Sequence, residues 1–329
     1  MDRSVRIHCF FSVKGGVGKT TLAVALAQLV PRPERCVVLD LDLTGSSLAE
    51  GLDLQAPEIA LRSDGSMDLD APPTGTYLSV DESRTARDAR KRSKAGLWLP
   101  PPYINDAFRY EGNDQERDCR LDAMCWRHQS DPGVRYLPSS SIDRDIVSSL
   151  DWLYRDEVHH GGAWLQRFAW ILYTFLEQMP ELEDLVLDMP PGVFGFTREV
   201  LSFLAHLSTG SVLPARFPGL PDQAEWQIHP YLVTSEDRQD LFLAMETYAT
   251  ILSKLPSVVP LLNRLKSPIE KTKEALDQRF RGALIKDIGH RMRSVSEHRA
   301  TLGRLFIEGD LKLTDTERKE LQVLFEVRG

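Results

Sequence analysis

The sequence predicts an α/β fold, and three stretches carry that expectation. Val5–Ser12 (VRIHCFFS) is a short apolar run of β-formers that enters the glycine-rich loop SVKGGVGKTT, and the TTLAVALAQLV that follows is rich in Ala and Leu at helical spacing. Cys36–Leu41 (CVVLDL) is a second buried-strand pattern with Asp40 and Asp42 at its end. Leu182–Gly192 (LEDLVLDMPPG) is a third, delivering Asp188 before a Pro-Pro-Gly turn forces the chain away. In an open parallel sheet, ligands sit outside the carboxyl ends of the strands, so these acids are placed to meet whatever the glycine loop binds.

The loop itself reads as a phosphate cradle. Gly15, Gly16 and Gly18 adopt backbone angles closed to other residues and let main-chain amides approach a polyphosphate. Lys19 then reaches the outer phosphates, the Thr20 hydroxyl ligates Mg²⁺, and the start of the following helix adds partial positive charge. Gly15 to Thr21, Val17 included, form the predicted nucleotide-binding stretch.

The strict pattern for such a loop has Gly where this chain has Val13, and a second lysine, Lys14, precedes the paired glycines. KGGVGKTT thereby resembles the deviant Walker A of the ParA/MinD superfamily, which includes Mrp-type iron-sulfur carriers and ArsA/Get3 targeting ATPases. The resemblance implies a doubly wound, mostly parallel P-loop NTPase sheet, ATP and Mg²⁺ as ligands, and a Lys14 that crosses a dimer interface to the partner's nucleotide. DLDLTGSS resembles the Walker A′ through Asp40, Asp42, Gly45 and Ser47, which implies that Asp42 orients the attacking water and Asp40 supports the Mg²⁺ shell. Leu43 and Thr44 depart from the Pro-Gln of chromosome-partition members. LDMPPG resembles the Walker B of Mrp-like members, making Asp188 the holder of the metal's water shell; Gly192, Gly195 and Thr197 suit a switch loop after it. By the same resemblance Asn263 hydrogen-bonds the adenine. Lys14, Lys19 and Asp42 are thus the expected catalytic residues, and Thr20, Asp40 and Asp188 the expected metal residues.

In chain order, Pro31–Arg35 is a turn before the second strand. From Asp53 to Pro132 the text loosens, with Pro57, Pro72, Pro73 and LPPPY breaking any periodicity; this segment is expected to be a partly ordered insertion after the second strand within a single 1–329 domain. It holds the one concentrated basic run, Arg84, Arg87, Arg90, Lys91, Arg92 and Lys94, which reads as a solvated helix face or as a contact to DNA phosphates or an acidic partner. Cys119, Cys125 and His128 lack zinc-knuckle spacing and read as packing. GVRYLPSSS is a strand stopped at Pro138, and Trp152, Trp164, Phe168, Ile171, Leu172 and Phe175 recur at helical spacing as core, with His159 and His160 between two helices. Ser208–Gln227 reads as a Pro-rich loop, HPYLVTS as a strand capped into a helix, and VVPLLNRL as a strand ending at Asn263. The tail offers a strand at Ala283–Ile288 and a closing helix over Asp315–Val327.

Composition bounds the function. A chain of 329 residues, 42% of them apolar, buries a large core, and a net charge of −8 argues against a nucleic-acid coat while leaving room for a local basic patch. Four cysteines without framework spacing fit a reducing cytosol. No leader-like apolar stretch precedes the first strand, and the closing helix is too mixed in charge for a membrane anchor. The absence of a late CxxC speaks against an iron-sulfur cluster. These readings converge on a cytoplasmic ATPase that works as an ATP-dependent homodimerisation switch toward a partner protein, DNA or membrane. The alternatives are an ATP-gated carrier or a nucleotide-loaded adaptor of a multi-protein complex.

Overall fold

The structure, a computed structural model, describes residues 3–44, 48–60, 63, 75–89, 103–109, 121–159, 163–209, 224–252, 255, 257–265, 270–272, 274, 276, 292–296 and 312–325. The strands are β1 (Arg3–Ser12), β2 (Cys36–Asp40), β3 (Leu54–Pro57), β4 (Tyr77–Leu78), β5 (Trp126–His128), β6 (Asp131–Leu137), β7 (Asp184–Pro191), β8 (Ala224–Ser235), β9 (Val259–Leu265) and β10 (Arg293–Ser296). The helices are α1 (Lys19–Ala27), α2 (Leu48–Gly51), α3 (Val80–Ala89), α4 (Ile104–Arg109), α5 (Asp143–His159), α6 (Ala163–Gln178), α7 (Phe196–Thr209), α8 (Arg238–Leu252) and α9 (Asp315–Phe325).

The strands form one sheet in the order β10-β9-β8-β1-β7-β2-β6-β5-β3-β4. From β10 to β6 every neighbour is parallel, and from β6 to β4 every pairing is antiparallel. From Ile7 to Ser12 every residue of β1 is buried, because both faces of the strand are covered. Val5, Ile7, Cys9 and Phe11 pack with α6, α7 and α8, while Phe10 packs on the other face with α1 and α9. Helix α1 is buried on all sides from Leu22 to Ala27, which explains why its Ala-rich sequence shows little amphipathic contrast.

One reading of the sequence is corrected here, the start of β8, and two others gain detail. The 53–132 segment adds β3, β4 and β5 to the sheet edge; strands of two to four residues are too short to leave a periodic signal. Strand β8 starts at Ala224, inside the stretch read as a loop, because pairing with Arg3–Arg6 of β1 extends it backward. The last strand described is Arg293–Ser296, whereas Ala283–Ile288 lies outside the described residues. The closing helix α9 puts Leu321, Leu324 and Phe325 into the core, with Phe325 edge-on to Phe10 and Tyr231, so its apolar side is covered by the sheet. No helix among the described residues is long and apolar enough to cross a membrane.

At the opposite end of the sheet from the glycine loop, a polar cluster is built into the face shared by β1, β7 and β8. Arg6 makes a bidentate pair with Asp184 at 2.7 and 2.6 Å, and His8 Nε2 lies 3.1 Å from the same carboxylate. Burial works against the Asp184 charge, but the bonds from His8 and Arg6 outweigh it and hold its pKa below the usual carboxylate range. His229, stacked on His8 at 5.0 Å, is pushed down to about 4 by burial and by the charge near His8 and Arg6. The sign follows from proton counting. Between pH 6.5 and 4 the unfolded chain binds a proton that folded His229 refuses, so stability rises with pH across that window. Urea unfolding of wild type and His229→Gln is expected to show the wild type losing about 2–3 kcal/mol more between pH 7 and 4 than the variant does. Equal slopes would remove His229 as the cause.

Candidate nucleotide and metal site

The glycine loop leaves β1 at Ser12, whose hydroxyl donates to the Lys14 carbonyl at 2.6 Å and whose carbonyl accepts the Gly192 N–H at 2.9 Å. The loop and the turn after β7 are thereby stitched together. Gly16 and Gly18 have φ of 75° and 88°, the left-handed region. A Cβ on Gly18 would also stand 2.3 Å from Asn263 Nδ2, so both conformation and space require glycine there. Gly18 caps α1 with no side-chain bond, leaving the first amides of a nine-residue helix available to an anion. Lys19 is buried at the head of that helix, and Gly15 and Gly16 are open to solution.

The Thr20 hydroxyl donates to Asp188 Oδ2 at 2.5 Å, joining the two groups expected to face a metal. Asp188 is buried, and its Oδ1 has no hydrogen-bond partner. Burial pushes the Asp188 carboxyl up to about 6, helped by the charge of Asp42 and opposed by Thr20 and Lys19. A buried carboxylate oxygen without a partner, next to a hydroxyl and under a lysine, fits a hard divalent cation with oxygen ligands such as Mg²⁺. Among the described residues no cluster of three His, Cys, Asp or Glu suits a metal held by protein alone. That agrees with the habit of Mg²⁺ of taking one or two protein ligands and completing its shell with water and phosphate.

Asp40 and Asp188 are register partners on β2 and β7. The Asp40 carboxylate is engaged by protein: Oδ1 accepts the Asp42 N–H at 3.2 Å, and Oδ2 accepts the Ser139 N–H and hydroxyl at 3.3 and 3.1 Å. In this arrangement Asp40 ties the Ser139 turn to the Asp42 loop. Asp42 Oδ1 accepts from the Thr44 hydroxyl at 2.7 Å, and the charge of Asp42 is felt at Asp188, so the two acids share one site.

Asn263 holds the glycine loop. Its Nδ2 donates to the Val17 carbonyl at 2.8 Å and its Oδ1 accepts the Arg264 N–H at 2.9 Å. Arg264 is one of two non-glycine residues with positive φ among those described, at 57°, and its Nη1 donates to the Gly16 carbonyl at 2.8 Å. The Asn-Arg pair was visible in the sequence, but its grip on the loop was not.

Lys14 stands apart from the cradle. Its Nζ lies 2.5 Å from Asp240 Oδ1 on the first turn of α8, and Ser235 donates to the other oxygen of Asp240 at 3.0 Å. With 40% of its side chain exposed, Lys14 faces outward. The turn after Asp188 carries Gly192 and Gly195 at positive φ and holds Phe194 75% exposed beside the loop.

Of the basic run, Arg90, Lys91, Arg92 and Lys94 lie outside the described residues. Arg87 is fully buried, bonded to Asp106 through both terminal nitrogens and to Asp145 through Nε, each at 2.8 Å. Burial opposes the Arg87 charge, but Asp106 and Asp145 raise its pKa further still. Arg84 is paired with Glu50 at 2.6 Å. Two of the six cations are therefore structural. Cys119 lies outside the described residues, the Cys125 thiol donates to the Leu121 carbonyl, and His128 bonds Ser130.

Comparison with known proteins gives three results. The family model described as the CobQ/CobB/MinD/ParA nucleotide binding domain matches residues 9–300. A search of curated proteins found no match. Among solved structures, a plasmid partition protein of Borrelia burgdorferi B31 bound to AMPPNP is similar at 14% identity and a TM-score of 0.52, covering 99% of this chain and 98% of that one. A Cyanothece McdA variant in complex with ATP is similar at 14% identity and a TM-score of 0.51, covering 100% of this chain and 99% of that one. At this identity the two structures speak to the fold alone.

Proposed function

The chain belongs to the CobQ/CobB/MinD/ParA nucleotide-binding domain family, and from that premise we propose that it is an ATPase of the ParA/MinD type that acts as an ATP-dependent dimerisation switch. One observation carries the reading: Lys14, half exposed, bonds Asp240 of α8, while Thr20 and Asp188 bond each other in the cradle. Two chains meeting over their glycine loops would give each Lys14 the other's nucleotide. The nucleotide-binding family and the Gly15–Thr21 loop support ATP as the ligand.

In this reading Lys19 and the α1 amides hold the phosphates, Thr20 and Asp188 hold Mg²⁺, and Asp42 orients the attacking water. Mg²⁺, when bound, supplies the positive charge that offsets charge developing on the phosphates. Asn263 and Arg264 keep the loop in its left-handed turns. The output is a partner protein or DNA; Arg84 and Arg87 are engaged by Glu50, Asp106 and Asp145 and are not free for phosphates. A depression of about 570 Å³ beside Phe194 is lined by Val193, Leu201, Ile251 and Leu255 together with Arg198, Glu199, Thr247 and Thr250, a mixed surface that does not by itself favour an apolar cargo.

Light scattering of an Asp42→Ala form, with and without MgATP, tests the switch: mass doubling on ATP is expected, and a monomer at saturating ATP would remove it. The Lys14–Asp240 pair must open before Lys14 can serve a partner. Asp240→Asn is therefore expected to lower the concentration for half-dimerisation about two- to thirtyfold, because a homodimer opens two partly exposed ion pairs of ~0.2–1 kcal/mol each. An unchanged midpoint would mean that the pair does not restrain Lys14.

A further inference from the structure

The serine run Ser139-Ser140-Ser141, directly after β6 and Pro138, joins the inserted segment to the acids of the candidate site. Each serine bonds a different neighbour. Ser139, fully buried, gives its N–H and hydroxyl to Asp40 Oδ2, and the other oxygen of that carboxylate holds the Asp42 N–H. Ser140 gives its N–H to Asn105 Oδ1 of α4 at 2.7 Å and its hydroxyl to Asp145 Oδ2 of α5 at 2.8 Å. Ser141 meets Glu50 of α2 and accepts from Arg84 of α3.

The insertion holds the far side of this run. Arg87 of α3 bridges Asp145 and Asp106, stacks over Tyr103 at 5.2 Å, and is wholly shielded from water. Asn105 Nδ2 donates to Ser149 at 2.8 Å and approaches the Leu43 carbonyl at 3.4 Å, next to Asp42. The Ile104 N–H bonds the Pro138 carbonyl at 2.9 Å. A continuous buried path therefore runs from Arg87, through Asp145 and Ser140, to Ser139, Asp40 and the Asp42 amide. Buried polar networks hold one geometry when satisfied and lose it when a donor is removed.

We propose that Ser139 is a positioning residue for ATP hydrolysis, fixing Asp42 through Asp40, and that the 53–132 segment sets the place of Ser139 through Asn105 and Arg87. The Asp40 carboxylate is a buried anion, and the Ser139 N–H and hydroxyl are among the donors that hold it. Without the Ser139 hydroxyl it shifts toward what remains, and its bond to the Asp42 N–H loosens. The cradle of Gly15–Thr21 makes none of these bonds, so phosphate binding is left as it was. The proposal rests on the reading that Asp42 orients the attacking water.

The test uses the full chain with Ser139→Ala, which deletes one oxygen and adds no volume. Hydrogen exchange of the nucleotide-free protein is expected to show the Asp42 amide exchanging about tenfold faster than in wild type, with β1 and β7 amides unchanged. Single-turnover hydrolysis should slow about ten- to hundredfold, the usual cost of losing an outer partner of a site residue, while MgATP affinity stays within about twofold. Asn105→Ala, measured in the same way, should shift both readouts in the same direction. Wild-type exchange at Asp42 in both variants overturns the proposal. So does a fall in affinity, rate and thermal midpoint together, which marks the run as a folding element only. Asp42→Ala separates the underlying reading. If that variant hydrolyses ATP at the wild-type rate, the water-orienting role falls; if it is inactive while Ser139→Ala exchanges and turns over normally, only the positioning proposal falls.

Discussion

Lys19→Ala is expected to abolish nucleotide binding, with a loss of at least about a hundredfold in affinity measured by titration calorimetry with ADP and ATP analogues. Lys19 is buried at the first position of α1, where the helix begins without a capping side chain. Its charge also opposes the rise in the Asp188 pKa, so ammonium and carboxylate share one small volume. Removing it takes away a charge-assisted contact to phosphate worth about 3 kcal/mol and leaves the Asp188 charge to repel the incoming polyphosphate. The fold should survive, because the helix is held by Leu22–Ala27 and not by its first residue. Binding within a few-fold of wild type would show that the loop is not the phosphate site.

Lys14→Ala should do the reverse, sparing nucleotide binding while blocking hydrolysis. The lysine's ammonium lies against Asp240, outside the cradle, so its loss takes nothing from the phosphates of its own subunit. A cation supplied in trans to a phosphoryl-transfer site is worth ~10³–10⁵ in rate, and a loss on that scale is the expected result. Mixing Lys14→Ala with an Asp42→Ala chain gives the decisive arrangement, since mixed dimers then hold one site with both residues intact and should recover part of the activity. Full turnover by Lys14→Ala alone would end the shared-site reading and leave a P-loop protein that works as a monomer.

The parts of the site that were readable before the structure have a common character. Gly16 and Gly18, Lys19, Thr20 and Asp188 belong to runs in which a strand ends and a loop of fixed chemistry begins, so the local text contains both the residue and its direction. The parts that were not readable are contacts between segments distant in the chain. Asn263 bonds Val17, 246 residues away, and neither stretch alone carries a sign of the other. Arg87 looked like a member of a solvated basic face until Asp106 and Asp145 closed on it from two other helices. Asp40 stands at a strand end, and Ser139, 99 residues on, bonds its carboxylate.

The sequence by itself determined the α/β class, the glycine loop, and the strand ends that bring Asp42 and Asp188 to it. These follow from rules acting over a few residues: β-formers in an apolar run, glycine where φ is positive, and a carboxylate after the last strand position. Only the tertiary structure decided that Lys14 rests on Asp240, that the insertion extends the sheet as antiparallel strands, and that a row of serines ties this insertion to Asp40. Those outcomes depend on which polar groups are left buried once the sheet and its two helical layers close. A buried donor or charge takes the nearest partner in space, whatever its distance along the chain.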